Sequence, residues 1–243
     1  MRLLAMRAFQ ICGIVIFAGL PLVSRSGRSL QAEPAVKISG TYTNMQYQQE
    51  AGDLLGIELK IVPARKGYQG ALQFAEGEPS DLIVVEIRLE GESLSFSIRS
   101  TSGHAGQFVG NIKNGILHGQ FRFTSGVSED VTLKKGKSYW ASIFTDIHYD
   151  REARTLAGTE LKIVGAKRGY QGALQFAEGG PGDLVVVQVK IASNKIDFSV
   201  PDTDVHAGEF SGVVENGLLH GQFRLKNGVV EAVSLKKGMS YWD

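Results

Sequence analysis

Apolar positions along this chain fall two residues apart. Ile57, Leu59 and Ile61 point to one side of an extended chain, and Glu58 and Lys60 to the other. Tyr68, Gly70, Leu72 and Phe74 alternate with Gln69, Ala71, Gln73 and Ala75, and Leu94, Phe96 and Ile98 alternate with serines. Between Leu82 and Leu89 the run starts apolar on both faces, which predicts a strand covered on both sides. No stretch carries a helical apolar period over two turns, so the body of the chain reads as all-β.

The strongest local signal is Asn114-Gly115, repeated as Asn216-Gly217. Asn-Gly favours a two-residue type I′ turn, because both central residues take positive φ. Counting outward from that turn sets the register. Phe108 faces Phe121, Gly110 faces Gly119 and Ile112 faces Leu117 on the core side. On the other face Gln107 meets Arg122, Val109 meets Gln120 and Asn111 meets His118. In the later hairpin Glu209 meets Arg224, an opposite-charge pair of the kind that fixes register. The facing glycines leave a gap on the core side, to be covered by an aromatic such as Trp140 or closed by a bend of the sheet.

The pattern occurs twice. GYQGALQFAEG at 67–77 returns at 169–179, NGILHGQFR at 114–122 returns as NGLLHGQFR at 216–224, and KKGKSYW at 134–140 returns as KKGMSYW at 236–242. A unit this long is a domain and not a short solenoid repeat. About eight strands are expected per unit, near 39–47, 55–63, 67–76, 81–90, 93–99, 105–113, 116–124 and 129–139. Short turns make neighbours antiparallel, and an even number of strands can close on itself. The expected fold is two tandem antiparallel domains, each a small closed barrel, with a β-sandwich as the alternative. The domains are 33–140 and 141–243, after a signal segment at 1–32. No linker separates them, so the last strand of the first is expected to run on into the first strand of the second, in a fixed relation. The copies diverge most near 86–100 against 188–202, where the sequence is least informative.

The first 32 residues have the order of a secretory signal helix. Arg2 and Arg7 precede an apolar run from Ala8 to Val23, and a polar stretch ends in the small residue Ala32. The run is short of the roughly 20 residues that span a bilayer, so no stable membrane span is expected after cleavage. An exported protein, periplasmic or extracellular, is the expectation. Cys12, the one cysteine, lies inside this run without the small neighbours of a lipid-attachment site. Its removal would leave no cysteine for disulfides, thiolate catalysis or metal ligation. Cleavage at Ala32 removes four of the 26 basic residues and none of the 25 acids, turning a net charge of +1 into −3. With no basic block, nucleic-acid binding has no electrostatic support.

Candidate chemistry is sparse. His118, Gln120 and Arg122 share one strand face, repeated by His220, Gln222 and Arg224. Imidazole, amide and guanidinium together can bind carboxylates, phosphates or sugars, although an outer solvated face explains them as well. Tyr68, Trp140, Tyr170 and Trp242 are large amphipathic aromatics that could line a barrel mouth or close the core. His104 and His206 read as loop histidines satisfied by backbone groups, without the converging ligands of a metal site. The acids of Glu76-Gly77-Glu78-Pro79-Ser80-Asp81 flank a Gly/Pro turn that lacks the alternating ligands of a calcium loop. Nucleophile-elbow, zinc-protease and phosphate-loop motifs are absent from the sequence, and no cofactor is expected.

Residues 106–123 resemble a single MORN-type hairpin, and the eight-strand exported unit is similar in outline to lipocalin and avidin barrels. That outline implies an interior able to hold one small ligand. The functional expectation is a non-enzymatic binding protein for a small ligand or an envelope protein partner. The alternatives are an envelope hydrolase using the repeated histidines and a sixteen-strand outer-membrane barrel.

Overall fold

The structure, a computed structural model, describes residues 38–99, 103–138 and 140–243, which belong to one compact unit. The proposed signal helix therefore lies outside the described residues. Among those residues every regular element is a strand. The first copy contributes β1 (Gly40–Thr43), β2 (Gln46–Gln48), β3 (Asp53–Ala64), β4 (Gly67–Pro79), β5 (Ile83–Glu90), β6 (Ser93–Ile98), β7 (Gly106–Lys113), β8 (Ile116–Phe123) and β9 (Ser128–Lys135). Its repeat follows as β10 (Ala141–Thr145), β11 (His148–Asp150), β12 (Thr155–Ala166), β13 (Gly169–Gly179) and β14 (Pro181–Ala192), then β15 (Lys195–Val200), β16 (Gly208–Glu215), β17 (Leu218–Leu225) and β18 (Val230–Lys237).

Each copy closes into its own antiparallel barrel. β1 and β2 are two halves of one bent strand, and both pair with β3. The β1 half also pairs with β9, Tyr42 opposite Lys135, and so joins the two edges of the sheet. Two eight-strand barrels result, in place of either a sandwich or one barrel of sixteen strands. The bend in the first strand has a local cause. Gly56 has φ +113°, and a Cβ there would lie 2.8 Å from the Asn44 carbonyl oxygen. That close approach lets the Asn44 side chain accept a hydrogen bond from Ile57 N at 2.7 Å. Gly158 and Asp146 repeat the arrangement in the second copy.

The hairpin register read from Asn114-Gly115 is the one observed, with Phe108 opposite Phe121, Gly110 opposite Gly119 and Asn111 opposite His118. Phe108, Phe121, Ile112 and Leu117 are buried in the barrel core. The gap over the two glycines is filled by Phe108 itself. Its ring tip would meet a Cβ on Gly110 at 2.8 Å and blocks one on Gly119 as well. The same ring stacks on Phe96 at 4.9 Å between centroids. Trp140 does not cover this gap; it is 40% exposed. Nor do the barrels share a continuous strand, since β9 ends at Lys135 and β10 begins at Ala141.

A second apolar cluster lies between the barrels. Val62, Ala71 and Leu82 of the first pack with Val164, Ala173 and Leu184 of the second, and Trp242 joins them. This explains the two-sided apolar start of β5: Val85 faces the core while Leu82 and Val84 face the other barrel. Positions in the two copies are offset by a constant 102 residues, as 67 is from 169. The contacts obey a two-fold relation in these terms. Lys60 Nζ meets Glu160 Oε1 at 2.5 Å, and its mate Lys162 meets Glu58, the mate of Glu160, also at 2.5 Å. Gln73 donates to the Gly165 carbonyl and Gln175 to the Pro63 carbonyl, each at 2.7 Å. Leu82 N donates to Gln171 and Leu184 N to Gln69, each at 2.7 Å. The interface is thus isologous, as in a two-fold homodimer, but within one chain.

All four charged side chains at its centre are at most 3% exposed. Glu160 also accepts hydrogen bonds from Ser240 Oγ at 2.7 Å and Tyr241 N at 2.8 Å. Glu58 accepts one from Ser138 Oγ at 2.8 Å. Burial lowers the proton affinity of Lys60, the Lys162 charge adds to that, and the Glu160 carboxylate opposes it.

Candidate ligand pocket at the open end of the second barrel

The two barrels end differently, and three substitutions account for it. In the first barrel Ile38 enters the core and is 3% exposed. Tyr42 Oη donates to the Ile38 carbonyl at 2.9 Å and holds that segment in place. Lys135 lies over Gly40, where an added Cβ would meet its Cε at 2.5 Å, and its Nζ donates to the Ser39 carbonyl at 2.5 Å. Ile38, Gly40 and Tyr42 become Trp140, Ser142 and Phe144 in the second copy. Phenylalanine has no hydroxyl to tie the chain down, and the Ser142 Cβ occupies the position over which Lys135 lies in the first copy. Trp140 stays outside, tilted against Tyr47 of the first barrel with 5.6 Å between ring centroids.

The unplugged end is a cavity of about 360 Å³. Phe144, Ile163 and Ile196 form its apolar base, and Trp140 and Tyr170 its aromatic lip. Lys237 stands at the rim and makes no ion pair among the described residues. An apolar floor, two amphipathic rings and one cation suit a small flat apolar molecule with an anionic or strongly polar group.

The sequence singled out Trp140 and Tyr170, and the structure brings them together here. Tyr68, the mate of Tyr170, packs against the filled core of the first barrel. Trp242, the mate of Trp140, is 7% exposed between the barrels, where its Nε1–H donates to Gln175 Oε1 at 2.8 Å. It therefore lines no mouth.

His118, Gln120 and Arg122 share the outer face of β8 as expected. They are tied to their own sheet: His118 Nδ1 to Thr132 Oγ1 at 2.9 Å, Gln120 Nε2 to Asp130 at 2.8 Å, and Arg122 Nε to Gln120 Oε1 at 2.9 Å. In the second copy Ser234 and Ala232 replace Thr132 and Asp130, so Gln222 has no acid beside it in that register. His220, Gln222 and Arg224 keep the same face of β17. Glu209 stands opposite Arg224 in register, as the hairpin count requires.

The loop histidines meet carboxylates and aromatic rings. His104 Nε2 meets Glu76 at 3.1 Å and stacks on Phe74, with ring centroids 4.1 Å apart. His206 lies between two carboxylates, Glu178 at 2.8 Å and Asp204 at 2.9 Å, and stacks on Phe176 at 3.9 Å. For His206 burial is the largest single influence and opposes the charge. Hydrogen bonds that the imidazolium donates to the Glu178 and Asp204 carboxylates outweigh it, and the pKa is raised above the ordinary 6.5. A raised imidazole pKa stabilises the folded state fully below the unfolded value, and that stabilisation is lost as pH rises through the folded value. His206 is therefore expected to titrate above 6.5 by proton NMR, and hydrogen exchange around 204–208 to speed up as its proton leaves. A midpoint at or below 6.5 would contradict the two-carboxylate arrangement. Among the described residues no group of three or more His, Cys, Asp or Glu side chains could hold a metal ion.

Fold and pocket together define a tandem β-barrel protein with one filled barrel and one open-ended barrel. Comparison with family models, with characterised proteins and with solved structures gives no match for this chain.

Proposed function

We propose that this is an exported, non-enzymatic binding protein whose second barrel takes a small, flat, largely apolar ligand with an anionic group at its open end. The observation that carries the reading is the exchange of Ile38, Gly40 and Tyr42 for Trp140, Ser142 and Phe144, which leaves one of the two barrels without its plug. The lip residues Trp140 and Tyr170 and the base residues Ile163 and Ile196 would contact the apolar part, and Lys237 the anionic part. Export rests on the basic, apolar and small-residue order of residues 1–32.

The test uses the dye 1-anilinonaphthalene-8-sulfonate, which carries a flat ring system and a sulfonate. Energy transfer from Trp140 should saturate at one dye per chain, and Lys237→Ala should weaken binding severalfold. Two dyes per chain, or none, would overturn the assignment. Turnover of generic esters or glycans that is lost in His118→Ala and His220→Ala would favour a hydrolase.

A further inference from the structure

A second opening lies on the side of the first barrel. The β5–β6 hairpin pairs only from Glu90–Ser93 to Arg88–Ser95. Beyond that the strands part: Ile83–Ile87 continue to pair with β4, and Phe96–Ile98 with β7. Their facing edges share no ladder. β14 and β15 part in the same way beyond Val189–Phe198. In the first barrel the split opens into a cleft of about 1300 Å³ at the junction with the second, which contributes Lys167 and Gln171 to its wall.

The cleft is more polar than the pocket described above. Arg88, Arg99 and Lys167 line it, against the acids Asp81 and Glu86, and Glu86 already accepts a hydrogen bond from Gln69 Nε2 at 2.7 Å. Arg88 and Lys167 are exposed and make no ion pair among the described residues. Ser95, Ser97 and Gln107 add neutral polar groups. The copies differ at these positions. Asp197, Pro201 and Glu209 stand in the second barrel where Ser95, Arg99 and Gln107 stand in the first. The second copy thus has one arginine fewer and two acids more at these three positions, while Lys190 and Arg65 stand where Arg88 and Lys167 do and Gln188 replaces Glu86.

We propose that this cleft binds an extended peptide segment with acidic side chains at alternate positions. The peptide main chain pairs with the open edge of β5, and its carboxylates meet Arg88 and Lys167. An unpaired strand edge presents alternating N–H and C=O groups, which an extended chain satisfies by strand addition. Period two in the added strand then places every second side chain toward the same wall, where Arg88 and Lys167 stand beside Asp81 and Glu86. An acidic glycan could answer the charge but would leave the edge amides unpaired.

The experiment is fluorescence anisotropy with a labelled ten-residue peptide of alternating Glu and Thr. The proposal expects saturable binding that weakens with salt. It expects at least a tenfold loss in the chain carrying Arg88→Glu and Lys167→Glu, and a similar loss when alternate peptide nitrogens are methylated. Dye binding at the end of the second barrel should be unchanged in that variant, which reports an intact fold. No saturable binding, equal binding by the doubly substituted chain, or equal binding of the methylated peptide or of polygalacturonate would each overturn it.

Discussion

Glu160→Ala is expected to destabilise the protein by about 3–5 kcal/mol, because it leaves the Lys60 ammonium buried without its counter-charge. Lys60 and Glu160 are 2% and 3% exposed, so water cannot replace the lost carboxylate without opening the interface. Ser240 Oγ, 2.6 Å from Lys60 Nζ, is its other close partner. The truncation also removes the acceptor of the Ser240 hydroxyl and of Tyr241 N–H, both of which donate to Glu160. Replacing both partners at once, Lys60→Met with Glu160→Leu, should recover the part of the loss that comes from the unpaired ammonium, since two apolar chains need no counter-charge, and leave the part that comes from the Ser240 and Tyr241 donors. Urea unfolding of the three proteins measures this. A loss below about 1 kcal/mol for Glu160→Ala would place the pair in solvent, because exposed pairs contribute no more than that.

Grafting the plug of the first barrel onto the second should abolish dye binding, with affinity reduced at least tenfold. The triple change is Trp140→Ile, Ser142→Gly and Phe144→Tyr. It restores the side chain that enters the core, the hydroxyl that holds it and the bare Cα over which a lysine can lie. Each feature is already present at Ile38, Gly40 and Tyr42, so the second barrel is asked to adopt a packing that its twin achieves. Stability should be held or raised, because an empty apolar volume is replaced by dispersion contacts. Calorimetry and dye titration on one sample separate the outcomes. Unchanged affinity in a folded variant would place the ligand elsewhere.

Strands, hairpin register and barrel closure were legible because each follows from local physics. Period-two patterning assigns faces, and Asn114-Gly115 admits one turn geometry that fixes every pair from Phe108–Phe121 to Ile112–Leu117. Glu58 and Lys60 show where such reading ends. Alternation places them on the outer face, but nothing in it says whether that face meets water or a second barrel. The fate of the repeated tryptophans was hidden for a related reason. Trp140 and Trp242 occupy matching positions, yet the chain continues from Trp140 into β10, whereas Trp242 folds back between the barrels. Residues 86–98, from the segment where the copies diverge most, include the β5–β6 split. Identity marks what both barrels need in order to fold, and both proposed sites include positions where the copies differ. The pocket had the same kind of signal available, in the replacement of Ile38 by Trp140.

The most direct test of the open-barrel account is methyl NMR on isoleucine- and leucine-labelled protein titrated with 1-anilinonaphthalene-8-sulfonate. A ligand in the open end of the second barrel shifts Ile163, Ile191 and Ile196 and leaves their mates Ile61, Leu89 and Leu94 unchanged. Equal shifts in both sets, or shifts confined to the first barrel, would contradict it.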